Sequence, residues 1–136
     1  MVKDIFIASD HAGYTLKDRI VNRYSFIDLG TDSCDVSVDY NDFADILVKR
    51  VLESNGVGIL ICKTGIGMSI AANRHKGIRA ALCTTVETAK MTRKHNDANI
   101  LVLPESVERP FEIVETFLET GFSNEERHMR RVKKLG

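Results

Sequence analysis

The sequence predicts a three-layer α/β fold, in which helices cover both faces of a doubly wound, parallel, five-stranded sheet. Short β-branched or apolar runs alternate with longer segments of helical periodicity along the chain. Three of the short runs are almost continuously apolar, which is typical of strands buried on both faces of a parallel sheet. We therefore expect a flavodoxin-like or Rossmann-like architecture with strand order 2-1-3-4-5.

The five predicted strands lie at residues 4–8, 25–29, 57–62, 77–82 and 99–103. In the expected order, strands 1 and 3 are neighbours at the switch point of the sheet. Ligands of such sheets bind beyond the carboxyl ends of the strands at that point. The residues that follow strands 1 and 3 are therefore the first candidates for a functional site.

Helices are predicted between the strands because apolar residues recur there every three or four positions. In the first two helices these residues are Leu16, Ile20, Val21 and Tyr24, and Phe43, Ile46, Leu47 and Val51. Thr84 followed by Glu87 has the spacing of a capping box at the start of a later helix. Pro110 and Gly121 fit the first position and the end of the next one.

The last predicted helix, at about 123–134, carries a run of basic residues. Ser123 followed by Glu126 predicts a second capping box. Arg127 and Arg131 are four positions apart, so both project from one face and could clamp one phosphate. The alternative is that this charge run is only a solvated helix face.

Composition limits the partners of the chain. Its 136 residues are enough for a single domain, 1–136. The charges of 19 basic and 19 acidic residues cancel, which argues against nucleic acid or acidic membranes as partners. No apolar run approaches the ~20 residues that span a bilayer. Three cysteines without paired spacing favour a cytoplasmic protein with reduced thiols, and no metal-ligand spacing or other cofactor motif is found.

A glycine-rich segment follows the third strand: Gly65, Ile66, Gly67, Met68 and Ser69. Glycines let the backbone turn so that several N–H groups point at one spot, and a helix N-terminus adds partial positive charge. Such a loop stabilises a phosphate or a developing oxyanion. It lacks the third glycine of a dinucleotide-binding loop, and a plain strand-to-helix turn remains the alternative.

Four polar side chains stand at strand ends with this loop. Cys62 is the last residue before the loop. A helix N-terminus there favours its thiolate form, which could act as a nucleophile or as a base that abstracts a proton. The alternative is a buried, inert thiol. Asp10 and His11 directly follow the first strand, and His95 precedes the fifth. The histidines could act as general acids, bases or anion ligands. A capping or turn role for Asp10, and a polar helix-to-strand turn at His95, are the alternatives. Together these features fit proton transfer next to a carbonyl in a phosphorylated substrate.

The chain resembles the family of ribose-5-phosphate isomerase B and the galactose-6-phosphate isomerase subunits. The matching stretches run from one end to the other: IASDHAGYTLK (7–17), DYNDFA (39–44), GILICKTGIGMSIAANRHKGIRAALC (58–83), HNDANIL (95–101) and RHMRRV (127–132). Their combination is far more specific than any single glycine loop.

The resemblance implies aldose–ketose isomerisation of ribose 5-phosphate to ribulose 5-phosphate, a step of the pentose phosphate pathway, through a cis-enediolate. Cys62 matches the family's base, which moves a proton between C2 and C1, and Thr64 matches a residue that assists proton transfer on the substrate oxygens. Backbone N–H groups of 65–69, with Asn96, would stabilise the enediolate.

The resemblance also implies binding roles. His95, with Asp10, would open the furanose ring, and Tyr40 would line the sugar pocket. The residues that would hold the phosphate are His11, Arg127 and Arg131. Because His95 precedes the fifth strand, it should lie at the opposite end of a parallel sheet from Cys62. We therefore expect an obligate homodimer, or a dimer of dimers, in which a second subunit supplies His95.

Three positions depart from the family pattern. Lys63 replaces the usual glycine after the cysteine, and Asn41 replaces the usual proline. Ser106 stands where relatives commonly carry a phosphate-binding arginine, and Arg109, three residues further on, could substitute.

Two alternatives to a ribose 5-phosphate isomerase remain open. The first is an isomerase of a six-carbon sugar phosphate, such as galactose 6-phosphate or allose 6-phosphate. The second is a non-catalytic nucleotide-binding or flavin-binding module that uses the same switch point. Pocket size would separate the first, and the absorbance of a retained flavin would reveal the second.

Overall fold

The computed structural model describes residues 3–136, and in this range the chain forms five strands and six helices. The strands are β1 Ile5–Ser9, β2 Ile27–Asp28, β3 Val57–Cys62, β4 Ala80–Leu82 and β5 Ile100–Pro104. The helices are α1 Tyr14–Arg23, α2 Tyr40–Ser54, α3 Ile66–Asn73, α4 Val86–Asn96, α5 Pro110–Glu119 and α6 Glu126–Leu135. No helix of the described residues is long and apolar enough to cross a membrane.

The five strands form one parallel sheet, which confirms the predicted fold class. The strand order is β2-β1-β3-β5-β4, so the predicted order was wrong at its end. β5 lies between β3 and β4, and its residues 100–103 are all buried, as in a central strand with helices over both faces and a paired strand on each side. The residues of β4 are only half-buried or exposed, and this short strand forms the edge.

Each face of the sheet is covered by its own set of helices. Side chains of α2 and α3 pack on one face, which carries Leu60, Cys62 and Val102. Side chains of α1, α4 and α5 pack on the other, which carries Ile61 and Leu103. The last helix, α6, lies outside these layers and packs against α4.

The ends of several elements differ from the sequence predictions. The capping box lies one residue later than predicted, because Oγ1 of Thr85 accepts a hydrogen bond from the N–H of Thr88 at 3.1 Å. The predicted Ser123–Glu126 box is wrong, because α6 begins at Glu126 without a side-chain cap. Pro110 begins α5 as predicted, and Gly121 lies two residues beyond its end.

The strand β4 is shorter than the predicted 77–82 because the side chain of Asn99 forms hydrogen bonds with the backbone of residues 77 and 79. The amide of Asn99 accepts from the N–H of Arg79 at 2.8 Å and donates to the carbonyl of Gly77 at 2.9 Å. These contacts replace a strand partner, so regular pairing starts at Ala80.

Candidate active site

The first group of predicted site residues meets at the carboxyl ends of β1 and β3. Ser9, the last residue of β1, pairs with Ile61, and the N–H of Asp10 donates to the carbonyl of Ile61 at 3.3 Å. Cys62 ends β3 beside it and is 5% exposed. The two chemically richest stretches of the sequence are therefore adjacent, as the switch-point argument predicts.

Asp10 also has the turn role that was its alternative interpretation. Its buried carboxylate accepts a hydrogen bond from the N–H of Gly13 at 3.0 Å, just before α1. A Cβ at Gly13 would lie 2.6 Å from the carbonyl oxygen of Ile61. The glycine thus lets this turn lie directly against the end of β3.

His11 is held by the segment that leads into α2. Its Nδ1 accepts a hydrogen bond from the N–H of Val38 at 3.2 Å. In the neutral imidazole this leaves Nε2 as the protonated nitrogen, available as a donor. The half-buried ring lies in the turn after β1.

The segment between β2 and α2 is also held where it begins, by an ion pair that the sequence interpretation missed. The Nζ of Lys17 lies 2.8 Å from both carboxylate oxygens of Asp28, and the lysine is 1% exposed. Asp28 also accepts from the N–H of Gly30 at 3.0 Å. The only sequence signal was a lysine inside an apolar helix face.

The glycine loop turns at Gly65, whose φ of +79° lies in the left-handed region. Oγ1 of Thr64 accepts from the N–H of Ile66 at 3.3 Å, and the N–H of Ser69 donates to the carbonyl of Gly65 at 3.0 Å. The first-turn N–H groups between them are the donors that a helix leaves unpaired at its start. They are available to an anion beside the end of β3.

Tyr40 covers this first turn of α3. A Cβ at Gly67 would lie 2.7 Å from Cζ of Tyr40, so the ring lies directly against the glycine. Met68, on the same turn, belongs to the buried cluster that includes Cys62. The partly exposed phenol therefore lies against the first turn of α3, and Met68 of the same turn packs in the cluster that holds Cys62.

A second group of predicted residues lies elsewhere, where α4 ends and α6 packs against it. The residues lining a shallow pocket there are His95, Asn96, His128, Arg131, Val132 and Leu135. The rings of His95 and His128 are 4.3 Å apart between centroids, at 36°. Arg127 is exposed on α6 and lies 3.5 Å from a carboxylate oxygen of Glu125.

His128 was not predicted as a site residue, although it lies between the two predicted arginines. Its ring is buried, and Nδ1 lies 2.8 Å from Oγ of Ser123. Burial lowers the pKa of His128, and the nearby His95 lowers it further. A histidine within a basic run is easily assigned to the solvated face, and only the packing of α6 reveals its environment.

The two groups lie at opposite ends of the sheet. Cys62 pairs with Pro104 at the end of β5, whereas Asn96 ends the helix that leads into the start of β5. One chain therefore brings the thiol, the glycine loop and Tyr40 together, but not with His95.

No group of potential metal ligands occurs among residues 3–136.

The three positions that depart from the family pattern, Lys63, Asn41 and Ser106, are all exposed. Lys63 is exposed, and its carbonyl accepts from the N–H of Glu105 at 3.2 Å. Arg109 is exposed too, and its guanidinium lies 3.8 Å from a carboxylate oxygen of Glu112 on α5. Both side chains of this pair are exposed, and no described contact joins Arg109 to Cys62.

Comparison with known proteins gives a consistent result. The family model described as Ribose/Galactose Isomerase matches residues 5–135. Solved ribose 5-phosphate isomerases of Thermotoga maritima and Clostridium thermocellum are 47% and 46% identical, with TM-scores of 0.92 and 0.90. The alignments cover 98% of this chain in both cases, and 97% and 95% of the solved chains.

Relatives known from sequence agree with these structures. Ribose-5-phosphate isomerase B of Mycobacterium leprae is 35% identical over 96% of this chain and 86% of its own length. A Rickettsia bellii protein, known by the general name of sugar phosphate isomerase, is 48% identical over 97% of this chain and 96% of its own.

Proposed function

From its membership of the ribose/galactose isomerase family, to which the chain belongs, we propose that it interconverts ribose 5-phosphate and ribulose 5-phosphate. The observation that supports this most is the position of Cys62. A thiol lies at the end of β3, next to Asp10 and below a glycine loop whose N–H groups are free to bind an oxyanion.

In the proposed reaction, the thiolate of Cys62 takes the proton from C2 of the open-chain aldose. The electron pair moves to the carbonyl oxygen, and the resulting cis-enediolate is stabilised by the first-turn N–H groups of α3. The same thiol returns the proton to C1 and gives the ketose. Thr64 stands at the loop and assists proton transfer between the two substrate oxygens.

The other cysteines are poor candidates for this base. Burial raises the pKa of Cys83 to about 11, so its thiol is protonated at neutral pH. Cys34 is exposed in the segment before α2. Cys62 must be reduced to act, which fits a reducing compartment such as the cytoplasm.

Binding of the sugar is assigned to both groups of residues. Tyr40 lines the sugar pocket, and His11 meets the phosphate from the same chain as Cys62. His95 and Asn96, with the phosphate ligands Arg127 and Arg131, come from a second copy, because their own chain holds them at the far end of the sheet. The proposed active unit is therefore a homodimer, or a dimer of dimers.

An exposed apolar surface supports this dimer. Ile66 and Ile70, one turn apart on α3, are 55% and 59% exposed, and Leu82 on the edge strand β4 is 36% exposed. Leu135 on α6 is 66% exposed and lines a pocket with residues of β4. A two-fold axis on this surface would bury it in both copies and carry the α4–α6 end of one toward the glycine loop of the other.

The test is formation of ribulose 5-phosphate from ribose 5-phosphate by the wild type and by Cys62→Ala. Removing the base should lower kcat by about 10³-fold or more. Cys34→Ala, which removes an exposed thiol, is the matched control and should retain wild-type turnover. Wild-type turnover in Cys62→Ala would contradict the assigned base, and conversion of only six-carbon sugar phosphates by the wild type would contradict the assigned substrate.

A further inference from the structure

The two histidine rings at the α4–α6 contact lie against each other at a tilt of 36°, and one serine hydrogen-bonds to this pair. His128 is 4% exposed, and its ring lies 4.3 Å from that of His95. Oγ of Ser123 lies 2.8 Å from Nδ1 of His128. The N–H of the same serine donates to the carbonyl of Lys94, the residue before His95, at 3.1 Å. Ser123 thus fixes both the ring of His128 and the backbone beside His95.

We propose that His128 is a positioning residue for His95, holding its imidazole in the orientation that the ring-opening step requires. The proposal rests on the proposed function, in which His95 opens the sugar ring. His95 lies on the last turn of α4 and has no side-chain hydrogen-bond partner among the described residues. The ring of His128 lies against that of His95 and limits its rotation, and Ser123 holds the ring of His128 in place.

The charges around His128 indicate that it acts in its neutral form. The group facing it from α4 is His95, and those from its own helix and the residue before it are Arg127, Arg131 and Glu125. Burial, the other histidine and the arginines lower the pKa of His128, and Glu125 opposes them. A neutral ring does not repel a proton taken up by His95, whereas a protonated one would.

A positioning role for His128 predicts that its variants slow ring opening and leave proton transfer between C1 and C2 unaffected. Ribulose 5-phosphate cannot form a furanose ring, because its O5 carries the phosphate. Incorporation of solvent deuterium at its C1 therefore reports proton transfer by Cys62 without ring opening. A positioning residue for His95 should affect the conversion of cyclic ribose 5-phosphate and leave this exchange intact.

The experiment compares His128→Gln, which removes the ring, with His128→Phe, which keeps it. His128→Gln should lower kcat for ribose 5-phosphate by about 10- to 100-fold, with little change in KM or in deuterium exchange. His128→Phe should restore most of kcat, and the loss of activity at acid pH should move to lower pH because the ring no longer protonates. Met129→Ala, an exposed neighbour on α6, should behave as wild type.

A rise in KM alone would contradict the proposal, because it would make His128 a substrate ligand. Equal losses in conversion and exchange, in variants with wild-type circular dichroism, would contradict it too. If a His128 variant does not fold, Ser123→Ala tests the same contact and should give a smaller loss of the same kind. A wild type that neither converts nor exchanges these sugars would instead overturn the proposed function.

Discussion

Cys62 and His95 lie at opposite ends of the same parallel sheet. Cys62 is the last residue of β3 and pairs with the last residue of β5, whereas His95 lies on the final turn of the helix that leads into the first residue of β5. Four residue steps of strand, about 13 Å, separate these two ends. In the proposed active unit, a sugar phosphate that meets both side chains therefore lies between two copies of the chain.

The ring-opening role of His95 predicts a selective defect. His95→Ala should slow conversion of cyclic ribose 5-phosphate strongly, because no group then moves a proton onto the ring oxygen, and general acid–base catalysis contributes about 10²- to 10⁴-fold. Deuterium exchange into C1 of ribulose 5-phosphate should stay near the wild-type rate. Equal losses in both measurements would remove the ring-opening role.

The buried ion pair predicts an asymmetry in stability. Asp28→Asn leaves the ammonium of Lys17 buried without a counter-charge and should lower the free energy of unfolding by about 3 kcal/mol. Lys17→Met leaves a carboxylate that is 38% exposed and still accepts from Gly30, so it should cost only about 1 kcal/mol. Urea unfolding of both variants decides this, and the reverse order would show that the lysine is not effectively desolvated.

The contact of Tyr40 with Gly67 predicts a coupled effect on substrate binding. In Gly67→Ala the new Cβ would approach Cζ of Tyr40 to 2.7 Å, so the ring must move away from the glycine loop. KM for ribose 5-phosphate should rise by about tenfold. Gly121→Ala, where a Cβ meets nothing within 4 Å, is the control and should leave KM unchanged.

A double-mutant cycle checks the cause of that change. In a Tyr40→Ala background there is no ring to displace, so Gly67→Ala should add little to KM. Fully additive effects of the two substitutions would show that the glycine acts without the tyrosine.

The sequence was sufficient for the fold class and for the first half of the site. Residues that follow apolar strands meet at the switch point of a parallel sheet whatever the detailed packing, so Asp10 and Cys62 could be placed together from their positions alone. The order of β4 and β5 could not. The fifth run is almost continuously apolar and the fourth is not, but apolar content indicates only that helices cover both faces of a strand, and it does not say which strands pair beside it.

The surroundings of the histidines were also beyond the sequence. The spacing of Arg127 and Arg131 predicted a shared helix face, but the burial of His128 depends on how α6 docks onto α4. Similarly, Ser123 had the spacing of a capping residue, but its hydroxyl accepts from the N–H of Glu125 and bonds to the ring of His128 without capping α6. Tertiary contacts that outweigh a local motif leave no local signal.

The shared site is tested most directly by mixing two inactive variants. Cys62→Ala and His95→Ala, each inactive alone on ribose 5-phosphate, are unfolded together and refolded at equal concentration. Half of the resulting dimers should be mixed, and each of these should carry one intact site, so activity should return to about a quarter of the wild-type value. If mixed dimers are present by mass spectrometry of the intact assembly and no activity returns, Cys62 and His95 do not act on one substrate across the interface.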